Sequence, residues 1–262
     1  MSAAGAVLDL DGTVYHGDEL VDGAVSGIDT LRNAGMEPVY FSNNPVRSGQ
    51  EFETHLQEFG IDVGPGMACS SADVTIAHLQ NHHGDDRILP ITSPAFRERL
   101  RSDGFDVTDD PASSEVLVAS WKQSFDFSDM RRALDAMSEE TAFYGTDPDR
   151  TFQITGGKPI PGSGAIIGAV EATTGREPDA ILGKPSTTSI SYLEDRLGID
   201  PSDCVIVGDR LDTDIRMGFR TGMTTVLVLS GVTDRADVQS SPIEPDYVIE
   251  NLGAIDEVIP HL

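Results

Sequence analysis

Two carboxylates at the end of an apolar run are the residues of this chain whose spacing points most directly to chemistry. Asp9 and Asp11 lie where the mostly apolar segment 4–10 runs into a turn at Gly12. The short apolar run predicts a buried strand, and residues two apart on a strand point to the same side. Two carboxylates in one small space need either a cation or a shared proton. Both outcomes suit an enzyme that handles phosphate, and the alternative is an Asp-rich turn in an acidic chain.

Three further segments place polar residues at, or just beyond, the ends of predicted strands. They are 42–44 (Ser-Asn-Asn), 183–185 (Gly-Lys-Pro) and 208–214 (Gly-Asp-Arg-Leu-Asp-Thr-Asp). Open parallel sheets bind ligands at the carboxyl ends of their strands, so we expect the four segments to converge there. Lys184 is notable because the chain has so few lysines, Lys122 and Lys158 being the others. A retained lysine is expected to perform a task that Arg cannot.

The elements that must position these residues alternate between strand and helix along the chain. This alternation predicts an α/β fold with a parallel sheet covered by helices on both faces. Breaks near 84–86 and 175–178 predict a Rossmann-like core from 1–83 and 179–262, with a smaller α/β unit, 84–178, inserted into it. The predicted strands are 4–10, 37–41, 87–92, 116–120, 142–145, 204–208, 224–229 and 247–249, and helices are predicted at 23–34, 49–59, 71–80, 94–101, 128–137 and 165–173.

The excess of acidic residues limits which molecules this protein can bind. Asp and Glu number 44 against 18 Lys and Arg, a net charge of −26. Acid spread along the whole chain predicts adaptation to high salt, where self-repulsion is screened, although an ordinary acidic protein is the alternative. The charge argues against nucleic acid as a partner. We expect a cytoplasmic protein, because the first strand leaves no room for a signal peptide, no apolar run matches a membrane span, and the two cysteines fit a reducing compartment.

The four ordered segments resemble the motifs of the haloacid dehalogenase-like (HAD-like) hydrolases, most of which are phosphatases with an aspartyl nucleophile. The segments 207–215 (VGDRLDTDI), 229–232 (LSGV) and 161–164 (PGSG), together with Gly-Lys-Pro at 183–185, are similar to the NagD-type branch. That branch includes para-nitrophenylphosphatase-like and phosphoglycolate phosphatases. The resemblance implies a HAD-like core with a large C2-type cap inserted between the second and third motifs.

The resemblance also implies roles for the motif residues. Asp9 is expected to be the nucleophile and Asp11 the general acid and base, with Ser42 and Lys184 stabilising the transferred phosphoryl group. A Mg²⁺ site is expected from Asp9, Asp11 and Asp209, with Asp214 behind the ligands. The other expected contacts to substrate come from Gly12, through its backbone N–H, and from Asn43, Asn44 and, in the cap, Lys158.

The cap departs from the pattern of the branch. Members often carry Thr-Asn-x-Asp after a cap strand, whereas this chain has Thr146-Asp147-Pro148-Asp149. Because a carboxylate stands in place of the amide, the resemblance does not identify the organic part of the substrate. The segment 156–164, rich in Gly and Pro, is expected to be either a substrate loop or a hinge, and Lys122 is expected to lie on the surface.

We therefore expect a magnesium-dependent phosphatase acting on small phosphorylated metabolites such as sugar phosphates, phosphoglycolate, nucleotides or para-nitrophenyl phosphate. A homodimer is a candidate assembly. Two alternatives from other classes remain: a signalling receiver that accepts a phosphoryl group on Asp9, and a regulatory protein that binds a metabolite. The pair Asp9 and Asp11 and the large insert disfavour the receiver. A dehalogenase is disfavoured because Asp11 would have no leaving oxygen to protonate.

Overall fold

Two parallel β-sheets organise the computed structural model, which describes residues 3–154 and 158–262. The larger sheet has six strands and the smaller five, and two short hairpins complete the strands. No helix in the described part of the chain is long and apolar enough to cross a membrane. The strands are β1 (Gly5–Leu8), β2 (Tyr15–His16), β3 (Glu19–Leu20), β4 (Pro38–Ser42), β5 (Ala68–Ser70), β6 (Arg87–Ile91), β7 (Asp106–Val107), β8 (Val116–Ala119), β9 (Ala142–Gly145), β10 (Thr151–Ile154), β11 (Lys158–Pro161), β12 (Ala180–Ile181), β13 (Cys204–Gly208), β14 (Thr224–Val228) and β15 (Tyr247–Ile249).

Helices cover both sheets, and their starts are marked by side-chain caps. Ser48 and Ser70 each accept a hydrogen bond from a backbone N–H one turn ahead, and an acidic side chain there bonds back to the cap N–H. These reciprocal bonds satisfy backbone donors that a helix start leaves free. The helices are α1 (Ala24–Asn33), α2 (Gly49–Glu58), α3 (Ser71–His82), α4 (Pro94–Ser102), α5 (Phe127–Ala136), α6 (Ser163–Thr174), α7 (Thr187–Leu197), α8 (Arg216–Thr221) and α9 (Arg235–Ser240).

The six-stranded core sheet runs in the order β15-β14-β13-β1-β4-β5, and every neighbouring pair is parallel. Its central strand β1 alternates between two apolar clusters: Ala6 and Leu8 pack on one face, and Val7 packs on the other. Both faces are buried, which explains why β1 is continuously apolar. Because the strands are parallel and in register, the ends of β1, β4 and β13 lie side by side at one edge.

The second sheet runs in the order β12-β9-β8-β6-β7, again parallel throughout. It too buries both faces, with Leu89 and Ile91 in one cluster and Ile88 in the other. Strand β12 pairs with β9, so this sheet reaches Ile181. We therefore propose that the cap begins near residue 84, as the sequence predicts, and ends after Ile181 rather than at 178, between core segments 1–83 and 182–262.

The predicted α/β class is confirmed, but several short strands were not predicted. The segment 156–164 was expected to be a loop, whereas Lys158–Pro161 forms β11 and pairs antiparallel with β10. Residues 156 and 157 lie outside the described residues. Two prolines in β11 disfavour a strand by propensity, and they are tolerated here because, within the described residues, this sheet has two strands and therefore both are edge strands.

Candidate active site

Three carboxylates meet at the edge where the core strands end. Asp9 follows β1, Asp209 follows β13, and Asp214 lies in a turn of π-helix, Leu211–Ile215, just before α8. One oxygen from each of these buried side chains lies within 4.8 Å of the others. Gly208 permits the approach, since a Cβ there would lie 2.4 Å from the Asp214 Cβ. The structure thus gathers residues that are up to 205 positions apart in sequence, 9 and 214.

Lys184 is buried among these carboxylates. Its Nζ donates to Asp9 Oδ1, to Asp214 Oδ1 and to the Phe41 carbonyl, each at 2.6 Å. The side chain is 2 % exposed, and all three ammonium donors are satisfied inside the protein. Burial opposes the charge of Lys184, but the two carboxylates outweigh it and raise the pKa. Lys184 is therefore a fixed cation.

Asp209 carries the strongest sign of an additional ligand. Its Oδ2 accepts a hydrogen bond from the Val232 N–H at 2.6 Å, whereas Oδ1 is buried and has no hydrogen-bond partner among the described residues. Burial and the neighbouring Asp214 raise the pKa of Asp209 to about 7. Burial also raises the pKa of Asp9, with Lys184 opposing the shift. An unpartnered carboxylate oxygen among three carboxylates fits a hard divalent cation such as Mg²⁺.

Gly12 lies against this site and needs to be glycine. Its φ of +91° is in the left-handed region, and a Cβ would lie 2.6 Å from Asp209 Oδ2. The N–H that we expected to be available to phosphate donates instead to the Tyr15 carbonyl at 2.8 Å. This bond closes the turn into the β2–β3 hairpin, which the sequence did not predict. Gly12 therefore lines the cavity but does not offer a free N–H.

The three side chains of the Ser-Asn-Asn segment, 42–44, have different hydrogen-bonding roles. Ser42 Oγ accepts from the Asn44 N–H at 3.0 Å, which leaves the hydroxyl hydrogen available to a ligand. Asn44 Oδ1 accepts from the Val46 N–H at 2.9 Å and holds the turn. Asn43 holds the backbone of Lys184 at both ends: Oδ1 accepts from the Lys184 N–H at 2.8 Å, and Nδ2 donates to the Lys184 carbonyl at 3.2 Å. The side chain of Asn43 thus positions Lys184.

Asp11 faces the space above these groups. Its side chain is exposed to the cavity, but protein surrounds the cavity on most sides. This loss of hydration raises the pKa of Asp11 to about 6, and the nearby cation of Arg47 partly opposes the shift. The hairpin beyond it is fixed to the core, because Ser230 O forms a 2.8 Å hydrogen bond with His16 Nε2 and Ser230 Oγ donates to the Gly12 carbonyl.

A cavity of about 340 Å³ lies between the strand ends and the cap. Asp214 is not among the described residues that line this cavity, and its Oδ1 accepts a hydrogen bond from Lys184 Nζ. Lys158 has an exposed side chain and is not among the described residues that line the cavity, so the structure does not bring it to the site. The predicted residues that line the cavity are Asp9, Asp11, Gly12, Ser42, Asn43, Asn44, Lys184 and Asp209.

The other walls of the cavity could hardly be predicted from sequence patterns. Trp121 and Phe152 form an aromatic wall on the cap, with ring centroids 5.6 Å apart and an edge-to-face angle of 74°. Arg47 and Arg210 contribute cations from core loops. The one available signal was that Trp121 is the single tryptophan of the chain. Lys122, expected on the surface, instead contacts both carboxylate oxygens of buried Asp129 at 2.6 and 2.7 Å.

The cap carboxylates are buried beside the cavity. Asp147 is 2 % exposed, accepts from Thr146 Oγ1 at 2.9 Å and accepts from the Asp149 N–H at 3.3 Å. Burial, with a contribution from neighbouring Asp149, raises the pKa of Asp147 to about 8. Near neutral pH the Asp147 carboxyl group is therefore mostly protonated, so it offers a hydroxyl donor as well as an acceptor.

Comparisons with known proteins agree with this arrangement. Residues 6–106 match the family model described as haloacid dehalogenase-like hydrolase, and residues 181–255 match the one described as HAD-hydrolase-like. The chain is 30% identical to sugar-phosphatase AraL of Bacillus subtilis, over 98% of this chain and 94% of that protein. The structure of p-nitrophenyl phosphatase from Archaeoglobus fulgidus matches with a TM-score of 0.88 and 32% identity over the full length of both chains.

A solved structure also bears on the metal. Glycerol phosphate phosphatase Rv1692 from Mycobacterium tuberculosis, in complex with magnesium, matches with a TM-score of 0.83 and 25% identity, over 96% of this chain and 75% of that one. The order of the motifs, the two parallel sheets and these similarities agree. The chain belongs to the haloacid dehalogenase-like hydrolases, in their NagD-type branch.

Proposed function

We propose that this protein is a magnesium-dependent phosphatase that hydrolyses small phosphomonoesters through an aspartyl-phosphate on Asp9. Membership of this family makes the chain a phosphomonoesterase. The metal, the intermediate and the substrate are the proposed parts. The observation that carries them is the meeting of Asp9, Lys184 and Asp209 beside one cavity, with a buried carboxylate oxygen left unpartnered among the described residues.

The reaction divides into two displacements. In the first, a carboxylate oxygen of Asp9 forms a bond to phosphorus, the bond to the leaving oxygen breaks, and Asp11 donates a proton to that oxygen. In the second, Asp11 takes a proton from water as the water oxygen bonds to phosphorus, and Asp9 is released. Covalent catalysis splits one difficult step into two easier ones, and general acid–base help contributes about 10²–10⁴-fold.

The core groups stabilise the charge on the transferred phosphoryl group. Lys184 places a fixed cation beside Asp9, and the Ser42 hydroxyl hydrogen is available to a phosphate oxygen. Asp9 and Asp209 would hold Mg²⁺ with help from the Asp11 carbonyl, while Asp214 keeps Lys184 in place. The bound ion would offset the repulsion between these carboxylates and the anionic ester.

The cavity indicates a small organic group. A volume of about 340 Å³ holds a phosphoryl group together with a sugar-sized or single-ring substituent, and the Trp121–Phe152 wall offers an apolar face. Relatives are named for sugar phosphates, p-nitrophenyl phosphate and glycerol phosphate. We therefore propose a small phosphorylated metabolite as substrate, with p-nitrophenyl phosphate as a working probe.

A screen of phosphorylated metabolites, with Mg²⁺ present, tests this function. Molar salt is the appropriate medium because the net charge of −26 predicts adaptation to salt. Excess chelator is expected to abolish release of phosphate, and added Mg²⁺ to restore it. Full activity in the chelator would contradict the metal site. Failure to release phosphate from any ester in molar salt with Mg²⁺ would contradict the proposed function.

A further inference from the structure

One carboxylate of the cap contacts the core at two points next to the catalytic groups. Asp149 lies between β9 and β10, and its side chain is 16 % exposed. Its backbone is held within the cap, since the Asp149 carbonyl accepts from the Gly164 N–H at 2.8 Å. A Cβ on Gly162 would lie 2.3 Å from that carbonyl, so the contact also requires glycine there. The carboxylate of Asp149 therefore moves with the cap.

The first contact leads to Lys184. Asp149 Oδ1 accepts a hydrogen bond from Asn43 Nδ2 at 3.3 Å. The same Asn43 side chain bonds both the N–H and the carbonyl of Lys184, so a shift of Asn43 is transmitted to the backbone of Lys184. Two hydrogen-bonded steps thus join the cap to the cation that contacts Asp9.

The second contact leads to the aspartates of the last motif. Arg210 follows Asp209 directly, and its N–H donates to Asp214 Oδ2 at 3.2 Å. Its Nη1 donates to the cap carbonyl of Thr151 at 3.3 Å. Arg210 Nε lies 3.7 Å from Asp149 Oδ1, and in the described part of the chain this buried donor has no hydrogen-bond partner.

Arg210 Nε and Asp149 Oδ1 are too far apart for a hydrogen bond. The separation is roughly 0.8 Å longer than a usual N–H···O bond of about 2.9 Å. Buried donors are nearly always paired, and Asp149 of the cap and Asp212 of the core face this N–H at the same 3.7 Å, so a small approach of the cap is one way to complete the bond. That approach would tighten the Asp149 contacts to both Asn43 and Arg210.

We infer that Asp149 is a positioning residue that couples the position of the cap to the alignment of Lys184, Asp209 and Asp214 in the core. The inference rests on the proposed function. Asp149 does not take part in bond making or breaking; it lowers the barrier by holding the groups that do. Partners that orient ligands and catalytic groups in this way typically contribute 10–100-fold.

Replacement of Asp149 by Ala is the principal test, with Asp212→Asn as the matched control. Asp212 Oδ1 is also 3.7 Å from Arg210 Nε, but it is 68 % exposed and belongs to the core. The control therefore removes a charge from the same Arg without touching the cap. With p-nitrophenyl phosphate and Mg²⁺, we expect Asp149→Ala to lower kcat 10–100-fold with KM changed less than about 3-fold, and Asp212→Asn to change kcat less than 3-fold.

Asp149→Asn is a milder substitution, included in case Asp149→Ala fails to fold. Its amide oxygen can still accept from Asn43, but the charge facing Arg210 is lost, so we expect a loss of kcat smaller than that of Asp149→Ala. Thermal melts of all variants are measured in parallel. A rise in KM at unchanged kcat, an equal loss in Asp212→Asn, or losses that match the fraction unfolded would overturn the inference.

Trp121 provides a second readout that does not need turnover. It is the single Trp of the chain and lies on the cap wall of the cavity. Inorganic phosphate with Mg²⁺ is expected to change its fluorescence in the wild type and in Asp212→Asn, and to change it much less in Asp149→Ala at saturating phosphate. Equal changes in all three proteins, or none in the wild type, would overturn the coupling.

These readouts separate the inference from the proposed function. Hydrolysis by the wild type, and its loss in Asp9→Asn, test the phosphatase reaction by themselves. The coupling is decided by the comparison of Asp149→Ala with Asp212→Asn and by the fluorescence of Trp121, which reports on the cap even where an ester is not hydrolysed.

Discussion

The floor of the cavity and its cap wall are built in opposite ways. On the floor, charged groups are buried at the ends of parallel strands and bond to one another, as Lys184 does with Asp9 and Asp214. On the cap wall, two aromatic rings and a mostly protonated Asp147 face the space. The floor is suited to one reaction, the transfer of a phosphoryl group, whereas the two aromatic rings of the wall can be replaced without loss of the hydrogen bonds among the floor residues. Specificity is therefore expected to reside in the cap.

The largest expected effect is at the floor. Asp9→Asn keeps the shape of the side chain and its contact with Lys184 but removes the nucleophile, so kcat should fall by about 10⁴-fold or more. Initial rates with p-nitrophenyl phosphate measure the loss, and circular dichroism checks the fold. Asp18→Asn makes the same chemical change on another residue that lines the cavity, and its activity should be within about 3-fold of the wild type. Comparable losses in both variants would contradict the assignment of Asp9.

Removal of the floor cation should weaken the fold itself. Lys184→Met leaves Asp9 and Asp214 buried without their partner, so the free energy of unfolding in chelator should fall by about 3–5 kcal/mol. Denaturant titration measures the change. In the cap, Lys122→Met removes the nearer of two cations beside Asp129, Arg132 being 3.9 Å away, and about 1–3 kcal/mol should be lost without a change in the kcat of folded protein. A stable Lys184→Met protein would contradict the role of this cation.

Asp147 should make the stability of the cap depend on pH. Its pKa is about 8 in the fold, against 3.8 in the unfolded chain, so between these values the folded state binds the extra proton. Stability should therefore fall as pH rises from about 4 to about 8, and Asp147 should cause no further loss above that range. In the Asp147→Asn variant, the side chain at position 147 cannot ionise. In denaturant titrations at pH 8, the free energy of unfolding of this variant should therefore exceed that of the wild type by about 1–3 kcal/mol, and the difference should disappear near pH 4. Parallel pH dependences of the two proteins would contradict the raised pKa of this buried carboxyl group.

The smallest expected effect concerns the aromatic wall. Trp121→Ala should raise KM for p-nitrophenyl phosphate about 2–10-fold, because an aromatic pair contributes about 0.5–1.5 kcal/mol, and should change KM for glycerol phosphate less. Phe127→Ala, an exposed aromatic residue of the same cap, is the matched control. An equal change for both esters would place the determinants of specificity elsewhere.

The sequence predicted the floor well because one rule places its residues. Apolar runs such as 204–208 are long enough to identify as buried strands, and parallel strands bring their ends to one edge. That rule is sufficient for Asp9, Ser42 and Asp209. It does not give the direction of each hydrogen bond, so it could not show that the Asn43 side chain holds Lys184 or that the Gly12 N–H is already bonded.

The cap and the short hairpins were predicted less well for physical reasons. Strands of two residues, such as Tyr15–His16, are too short to show a period of two. The prolines in Lys158–Pro161 argue against a strand, and the pairing with Thr151–Ile154 overrides that preference. The aromatic wall depends on tertiary contacts between residues 121 and 152, which no local pattern encodes. Adaptation to high salt and assembly into a homodimer stay predictions from composition and resemblance.

Rapid quenching of a single turnover would detect the proposed aspartyl-phosphate itself. Wild-type protein is mixed with a ³²P-labelled ester and Mg²⁺, quenched in acid at increasing times, and digested to locate the label. We predict a phosphorylated Asp9 that appears before free phosphate and decays at the rate of turnover, and that persists in Asp11→Asn, which lacks the general base. Free phosphate formed without labelled protein, label on another residue, or a phospho-Asp9 that outlives turnover, as in a signalling receiver, would contradict it.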